Sequence, residues 1–337
     1  MVAIRETTKM EIYYDSLQEG NWFKGLHPDF SDASLIPIND IKVGTPVAKA
    51  LEYDRPDIIL VDKNEPILVI ERTIEVPTGH NVGQRFARLA AAAEAKIPLV
   101  YFGPYMARKH GGETEGPRYM NLRLFYALDI VADINKTAVT TINWPVDAKC
   151  ELLRTPAKDQ RMKEYLDIFL MAYKKSGVEA VNKALIESGF SAQQAQERED
   201  FIKEFVKSPK RYDLPPPSVE VMDVKTFTGM TKIPSQILTN FQEVVFYDIG
   251  MRYVRSDPYT GTGMLYQYLY VLGEKSIKRA LVLHFPNISQ AMWDTASRSG
   301  RRKDVRLFKH IADLIVLKDG LWVRESLEPR SPEPIKA

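Results

Sequence analysis

The spacing of hydrophobic and polar positions changes several times along the chain, and the sharpest changes fall between residues 55 and 105. Residues 58–61 and 67–70 are short apolar, β-branched runs, separated by the turn-forming stretch Asp62-Lys63-Asn64-Glu65-Pro66. Two such runs predict a hairpin with a five-residue turn. From about Val82 to Ala95 the spacing becomes helical, with Ala87, Ala90 and Ala91 on a small apolar face and Asn81 as an N-cap; residues 97–102 are strand-like again.

Elsewhere the pattern is coarser. Residues 47–53 offer a first core strand, and 103–120 form a long loop rich in glycine and basic groups, with Arg108, Lys109, His110 and Arg118 as candidate phosphate contacts. Residues 121–132 have helical spacing. So does almost all of 159–207, with Gly177 and Gly189 as stops. Pro209 and the triplet Pro215-Pro216-Pro217 mark a linker. Beyond it, strands are expected at 244–254 and 280–285, a turn at 257–263, helices at 264–272, 288–296 and 305–311, and a strand pair turning at Asp319-Gly320. Gly261 and Gly263 match neither GxGxxG nor the P-loop pattern. Residues 244–286 resemble 52–104 in element order, without shared spacing. These expectations give an α/β chain with three parts: a core of residues 1–150, a helical segment of 151–208 and a C-terminal α/β region of 209–337.

The period of two brings chemistry to the hairpin. Asp57, Ile59 and Val61 share one face of the first strand, while Glu71, Thr73 and Glu75 share one face of the second, so a suitable register makes Asp57 and Glu71 neighbours. Buried carboxylates need a cation or hydrogen bonds. An all-oxygen set suits Mg²⁺ or Mn²⁺ better than zinc, and points to metal-assisted hydrolysis of a phosphate ester. The bland alternative is that Glu71 and Glu75 line the solvated face of an edge strand.

At these residues the sequence resembles the PD-(D/E)XK nuclease superfamily: Pro56-Asp57 opens one strand, Glu71 ends an apolar run on the next, and a helix and a strand follow. The resemblance covers about fifty residues and implies a mixed-sheet, restriction-endonuclease-like core flanked by helices. It also implies that Asp57 and Glu71 are metal ligands and that a lysine two positions after the glutamate holds the attacking water. This chain has Thr73 there, so Glu75, Gln84 or a lysine from elsewhere is left as the candidate for that role.

Composition adds limits. With 337 residues, 45% hydrophobic and 27% charged, the chain is neither disordered nor collagen-like, and its net charge of +2 leaves DNA binding to local clusters. Arg85 and Arg88 share a helix face, and Arg298, Arg301, Arg302 and Lys303 form the most basic cluster; both suit phosphate contacts, and both are also what a solvated surface looks like. The single cysteine, Cys150, excludes a disulfide framework. No apolar run approaches the ~18 residues of a membrane span and the N-terminus lacks the apolar core of a signal peptide, so a cytoplasmic protein is expected.

The expectation that results is a Mg²⁺-dependent endonuclease of double-stranded DNA, of the type II restriction kind and homodimeric, with Mn²⁺ as a substitute metal. Its rivals are a structure-specific or repair nuclease of the same superfamily and a catalytically silent DNA-binding protein on the same fold.

Overall fold

Lys63 and Asn64 decide the hairpin. Both have positive φ, 51° and 65°, so Asp62 and Glu65 pair directly and the turn has two residues rather than five. A two-residue turn of this hand matches the twist of the strands it joins, and asparagine tolerates the left-handed region. In the computed structural model the described residues are 9–78, 81–108, 117–252, 259–298 and 303–330, the side chains of residues 179, 303 and 304 excepted. They form a mixed α/β structure in two units: residues 1–78, 88–120 and 131–207 make the first, and residues 79–87, 121–130 and 208–337 the second.

The elements of the first part of the chain are β1 (Glu11–Tyr14), α1 (Leu17–Lys24), β2 (Ser34–Pro37), β3 (Ile58–Asp62), β4 (Glu65–Arg72), α2 (Asn81–Glu94), β5 (Leu99–Gly103), β6 (Met106–Arg108), β7 (Pro117–Tyr119), α3 (Leu122–Asn135), β8 (Val139–Asn143), α4 (Gln160–Ile186) and α5 (Gly189–Phe205). Six strands form one sheet in the order β2-β1-β3-β4-β5-β8. β3 and β4 are antiparallel, while β4, β5 and β8 run parallel. β3 and β5 are buried along their whole length, which is why they read as continuous apolar runs rather than alternating ones.

Some expectations change here. Residues 47–53 are not a strand: Pro46–Leu51 is a 3₁₀ helix opened by proline, and β1 takes the place beside β3. The helical segment groups with the first unit up to residue 207, and its stripe Met162, Tyr165, Leu166, Phe169 and Leu170 packs in one core with Phe23, Leu60, Leu68 and Phe102. A stripe at helical spacing is a core-facing surface, and this one covers a sheet face. The helix breaks at Gly177, where φ is 72°. The loop 103–120 is shorter than expected, since β6 and β7 pair across it; Lys109 and His110 lie outside the described residues.

The later elements are β9 (Val219–Asp223), α6 (Val224–Thr231), β10 (Glu243–Asp248), α7 (Tyr259–Tyr266), a π-helix over Gln267–Leu272, β11 (Arg279–Phe285), α8 (Gln290–Arg298), α9 (Lys303–Ile311), β12 (Leu314–Leu317) and β13 (Leu321–Val323), with sheet order β13-β12-β11-β10-β9. Part of the stretch expected as a turn is helix, because the glycines serve packing. A Cβ on Gly83 would lie 2.3 Å from the Thr262 amide nitrogen, and one on Gly261 would lie 2.3 Å from the Gly83 carbonyl oxygen. Two helix backbones can touch this closely only where both lack side chains. The boundary between the units falls at 207/208, beside the stretch read as a linker, and that stretch is anchored within the second unit: Arg123 donates to the carbonyls of Arg211 and Leu214.

Four strands of the second sheet repeat the order and directions of four in the first, although β9 and β10 are joined through α6 and not by a hairpin. β9-β10-β11-β12 runs antiparallel, parallel, parallel, as β3-β4-β5-β8 does. The hydrogen bond that follows β4, Thr73 N–H to the Phe102 carbonyl at 2.9 Å, has its counterpart in Ile249 N–H to His284 at 2.8 Å. The counterpart of β3 is β9, outside residues 244–286, so the similarity of element order between residues 52–104 and 244–286 covers only the later part of this match, β4-β5 against β10-β11.

Candidate active site

Asp57 stands one residue before β3 and Glu71 is the penultimate residue of β4; with Ile58 opposite Ile70, the register sets the two acids across from each other. Both are buried, Glu71 completely. The Asp57 Oδ2 accepts the Arg72 N–H at 2.5 Å, so the backbone of β4 holds this carboxylate in place. Three residues before Asp57, Asp54 supplies a third acid at the edge of the group.

The cation among them is Arg88 of α2. Its Nη1 donates to Glu71 Oε1 at 3.0 Å and lies 3.8 Å from Asp57 Oδ1, while its Nε donates to Asp54 Oδ2 at 3.1 Å. Burial by itself lowers the pKa of this guanidinium; the attraction of Glu71, Asp54 and Asp57 outweighs burial and raises it above the ordinary arginine value. Arg88 thus faces three carboxylates, of which Asp57 and Glu71 are buried and Asp54 is partly exposed. Among the described residues, no group of three or more His, Cys, Asp or Glu side chains is arranged to hold a metal ion by itself.

Arg88 therefore departs from its expected role. As a phosphate contact it would have to present its guanidinium outward, and instead that group faces the acids. Thr73, at the position the resemblance gives to lysine, is buried. Its hydroxyl both accepts the Glu75 N–H and donates to the Glu75 carbonyl at 3.1 Å, and its methyl sits where a Cβ on Gly103 would be only 2.5 Å away. This turn ends β4 at Arg72, so Glu75 does not continue the strand face of Glu71; it is exposed. Gln84 and Arg85 are half-buried and group with the second unit. Arg298 is exposed at the end of α8, with Nε near the Asp294 carbonyl. Arg301 and Arg302 lie outside the described residues, as does His80, and Lys303 is described only as the first residue of α9.

On the other face of β4, Arg72 lies between two indoles, 4.5 Å from the Trp22 ring centre and 5.0 Å from that of Trp144, with Phe102 stacked against both rings. Burial lowers its pKa, and Glu19, Asp159 and Asp57 oppose that shift. Sequence reasoning missed Asp54 and the ionic role of Arg88. The signal was present: two buried carboxylates require a cation, and an arginine on the following helix satisfies that need as directly as a metal does.

In the second unit, the positions matching Asp57 and Glu71 by strand register carry Val219 and Tyr247. The acids therefore belong to one copy of the repeated topology. Fold and site together define a mixed α/β protein with a buried carboxylate–arginine cluster where an antiparallel hairpin meets a parallel sheet. Comparison with protein-family models, with curated proteins and with solved structures gives no match.

Proposed function

We propose that the protein is a metal-dependent endonuclease of double-stranded DNA with a restriction-endonuclease-like core, acting as a homodimer with Mg²⁺ or, in its place, Mn²⁺. The observation that supports this most is the convergence of Asp57 and Glu71 from opposed strands at one buried point that already holds positive charge. Their oxygens are of the hard kind that Mg²⁺ takes, so Asp57 and Glu71 would be its holders, with water and phosphate oxygens completing the set. A bound Mg²⁺ would make a coordinated water a better nucleophile and offset charge on the scissile phosphate.

The chain's own residues have the remaining tasks. Arg72 N–H holds the Asp57 carboxylate in a fixed orientation. The Thr73 hydroxyl is engaged in its turn, so in this proposal a group other than Thr73 orients the attacking water. Arg85 and the cluster Arg298, Arg301, Arg302 and Lys303 contact phosphates in this proposal, which predicts a steep fall of DNA affinity with salt.

A second reading has an observation of its own. Arg88 already neutralises the acids and Thr73 replaces the lysine, which favours a catalytically silent DNA-binding protein on the same fold. Long duplex DNA incubated with Mg²⁺ or Mn²⁺, with Asp57→Ala and Glu71→Ala as controls, separates the two. Discrete fragments that disappear in both variants support a sequence-specific nuclease, and a smear supports a structure-guided one. Intact DNA with both metals, together with salt-dependent binding, supports the silent protein.

A further inference from the structure

We propose that Arg88 is a resident counter-ion of the candidate metal site, which a divalent cation must displace before Asp57 and Glu71 can hold it; this rests on the metal-dependent reading above. The Arg88 Nη1 lies 3.0 Å from Glu71 Oε1 and 3.8 Å from Asp57 Oδ1, between the two acids that would coordinate the ion. Mg²⁺ takes its oxygens at about 2.0–2.1 Å, so guanidinium and metal cannot occupy that point together. Their like charges would also repel in a site where Glu71 has no exposure to water.

The arrangement also provides for the withdrawal. Arg88 has a second anchor in Asp54, whose carboxylate accepts from Nε at 3.1 Å and is 35% exposed, farther from the dry centre than Glu71 or Asp57. Releasing Nη1 from Glu71 leaves the arginine tied to Asp54, and its long side chain can turn outward about that contact. Without metal, Arg88 keeps two buried carboxylates compensated, which they require in order to stay ionised and close together. With metal, the same residue is a competitor. The site would then load only when the divalent ion outcompetes an internal cation.

The test is Mn²⁺ binding to the full chain, read as loss of the free-ion electron paramagnetic resonance signal, for wild type, Arg88→Met and Arg88→Lys. Methionine keeps a long apolar stem without charge, and binding at least tenfold tighter is expected. Lysine keeps the charge but its single ammonium group cannot bridge Asp54 and Glu71 as a guanidinium does, so a smaller gain is expected; it carries the test if the methionine variant does not fold. A second readout is thermal unfolding, where Mn²⁺ should raise the melting temperature more in Arg88→Met than in wild type. Asp54→Asn should weaken Mn²⁺ binding more in the wild-type background than in Arg88→Met.

Equal or weaker Mn²⁺ binding in both Arg88 variants, with wild type still binding through Asp57 and Glu71, would overturn the displacement while leaving the metal site standing. Equal weakening by Asp54→Asn in both backgrounds would remove Asp54 as the second anchor. No Mn²⁺ binding by any variant, Arg88→Met included, would remove the metal-dependent reading itself and this inference with it.

Discussion

The ionic cluster makes a quantitative claim about stability that is independent of any activity. Consider Arg88→Met, Glu71→Gln and the double variant, all unfolded with chelator present. Removing Arg88 takes away the guanidinium that lies 3.0 Å from Glu71, fully buried, and 3.8 Å from Asp57, nearly so. Breaking a buried ion pair from one side costs about 3–5 kcal/mol. For a unit of this size, each kcal/mol lowers the melting temperature by about 2–4 °C, so a fall of about 6–20 °C is expected. Glu71→Gln is milder, about 1–3 kcal/mol, since Arg88 keeps Asp54 and Asp57 and the glutamine amide can still accept one hydrogen bond. In the double variant one buried charge of each sign is gone, and the loss should fall short of the sum of the singles by about 1–3 kcal/mol. Urea unfolding followed by circular dichroism measures all four corners of the cycle. Single effects that add to within about 0.5 kcal/mol would show that Arg88 and Glu71 do not hold each other.

Three further outcomes are expected. Gly83→Ala places a methyl 2.3 Å from the Thr262 amide, where backbone cannot give way; chemical unfolding should show a loss of about 1–3 kcal/mol or more, and an unchanged midpoint would refute the close helix contact. Arg72→Lys exchanges a flat guanidinium between Trp22 and Trp144 for an ammonium group that cannot stack on both; a loss of about 1–2 kcal/mol with a changed tryptophan emission is expected, and neither change would refute the sandwich. Asp223 caps α6, and the hydroxyl and then the N–H of Thr226 hold its carboxyl below the usual range. A depressed folded-state pKa contributes stability above the unfolded pKa and loses it as pH falls through the folded one. The melting-temperature gap between wild type and Asp223→Ala should therefore be present at neutral pH and close on acidification; a gap that does not change with pH would refute the cap.

The repeated topology bears on how such a chain can be read. The two four-stranded cores share strand order and a matching hydrogen bond after the second strand, yet the acids occur in one and Val219 and Tyr247 stand in the other. Backbone connectivity is set by where apolar runs and helices alternate, which many side-chain choices satisfy. A charged site needs particular residues, so it can be absent from one copy without changing the fold.

The hairpin, the strand that follows it and most helices were legible from sequence because each depends on local periods: continuous apolar runs for doubly covered strands, and helical spacing in 159–207. The convergence of Asp57 and Glu71 was legible for the same reason, since a period of two and a turn fix which side chains face each other. Tertiary structure decided the rest. It tightened the turn through two residues in the left-handed region, moved the first core strand from 47–53 to Glu11–Tyr14, and joined the helical segment to the first unit. It also turned Gly261 from a loop signal into a helix contact with Gly83. Above all it chose the partner of the acids. The need of buried carboxylates for positive charge is a local fact; which of many cations meets that need depends on where α2 carries Arg88, and no spacing along the chain contains that distance.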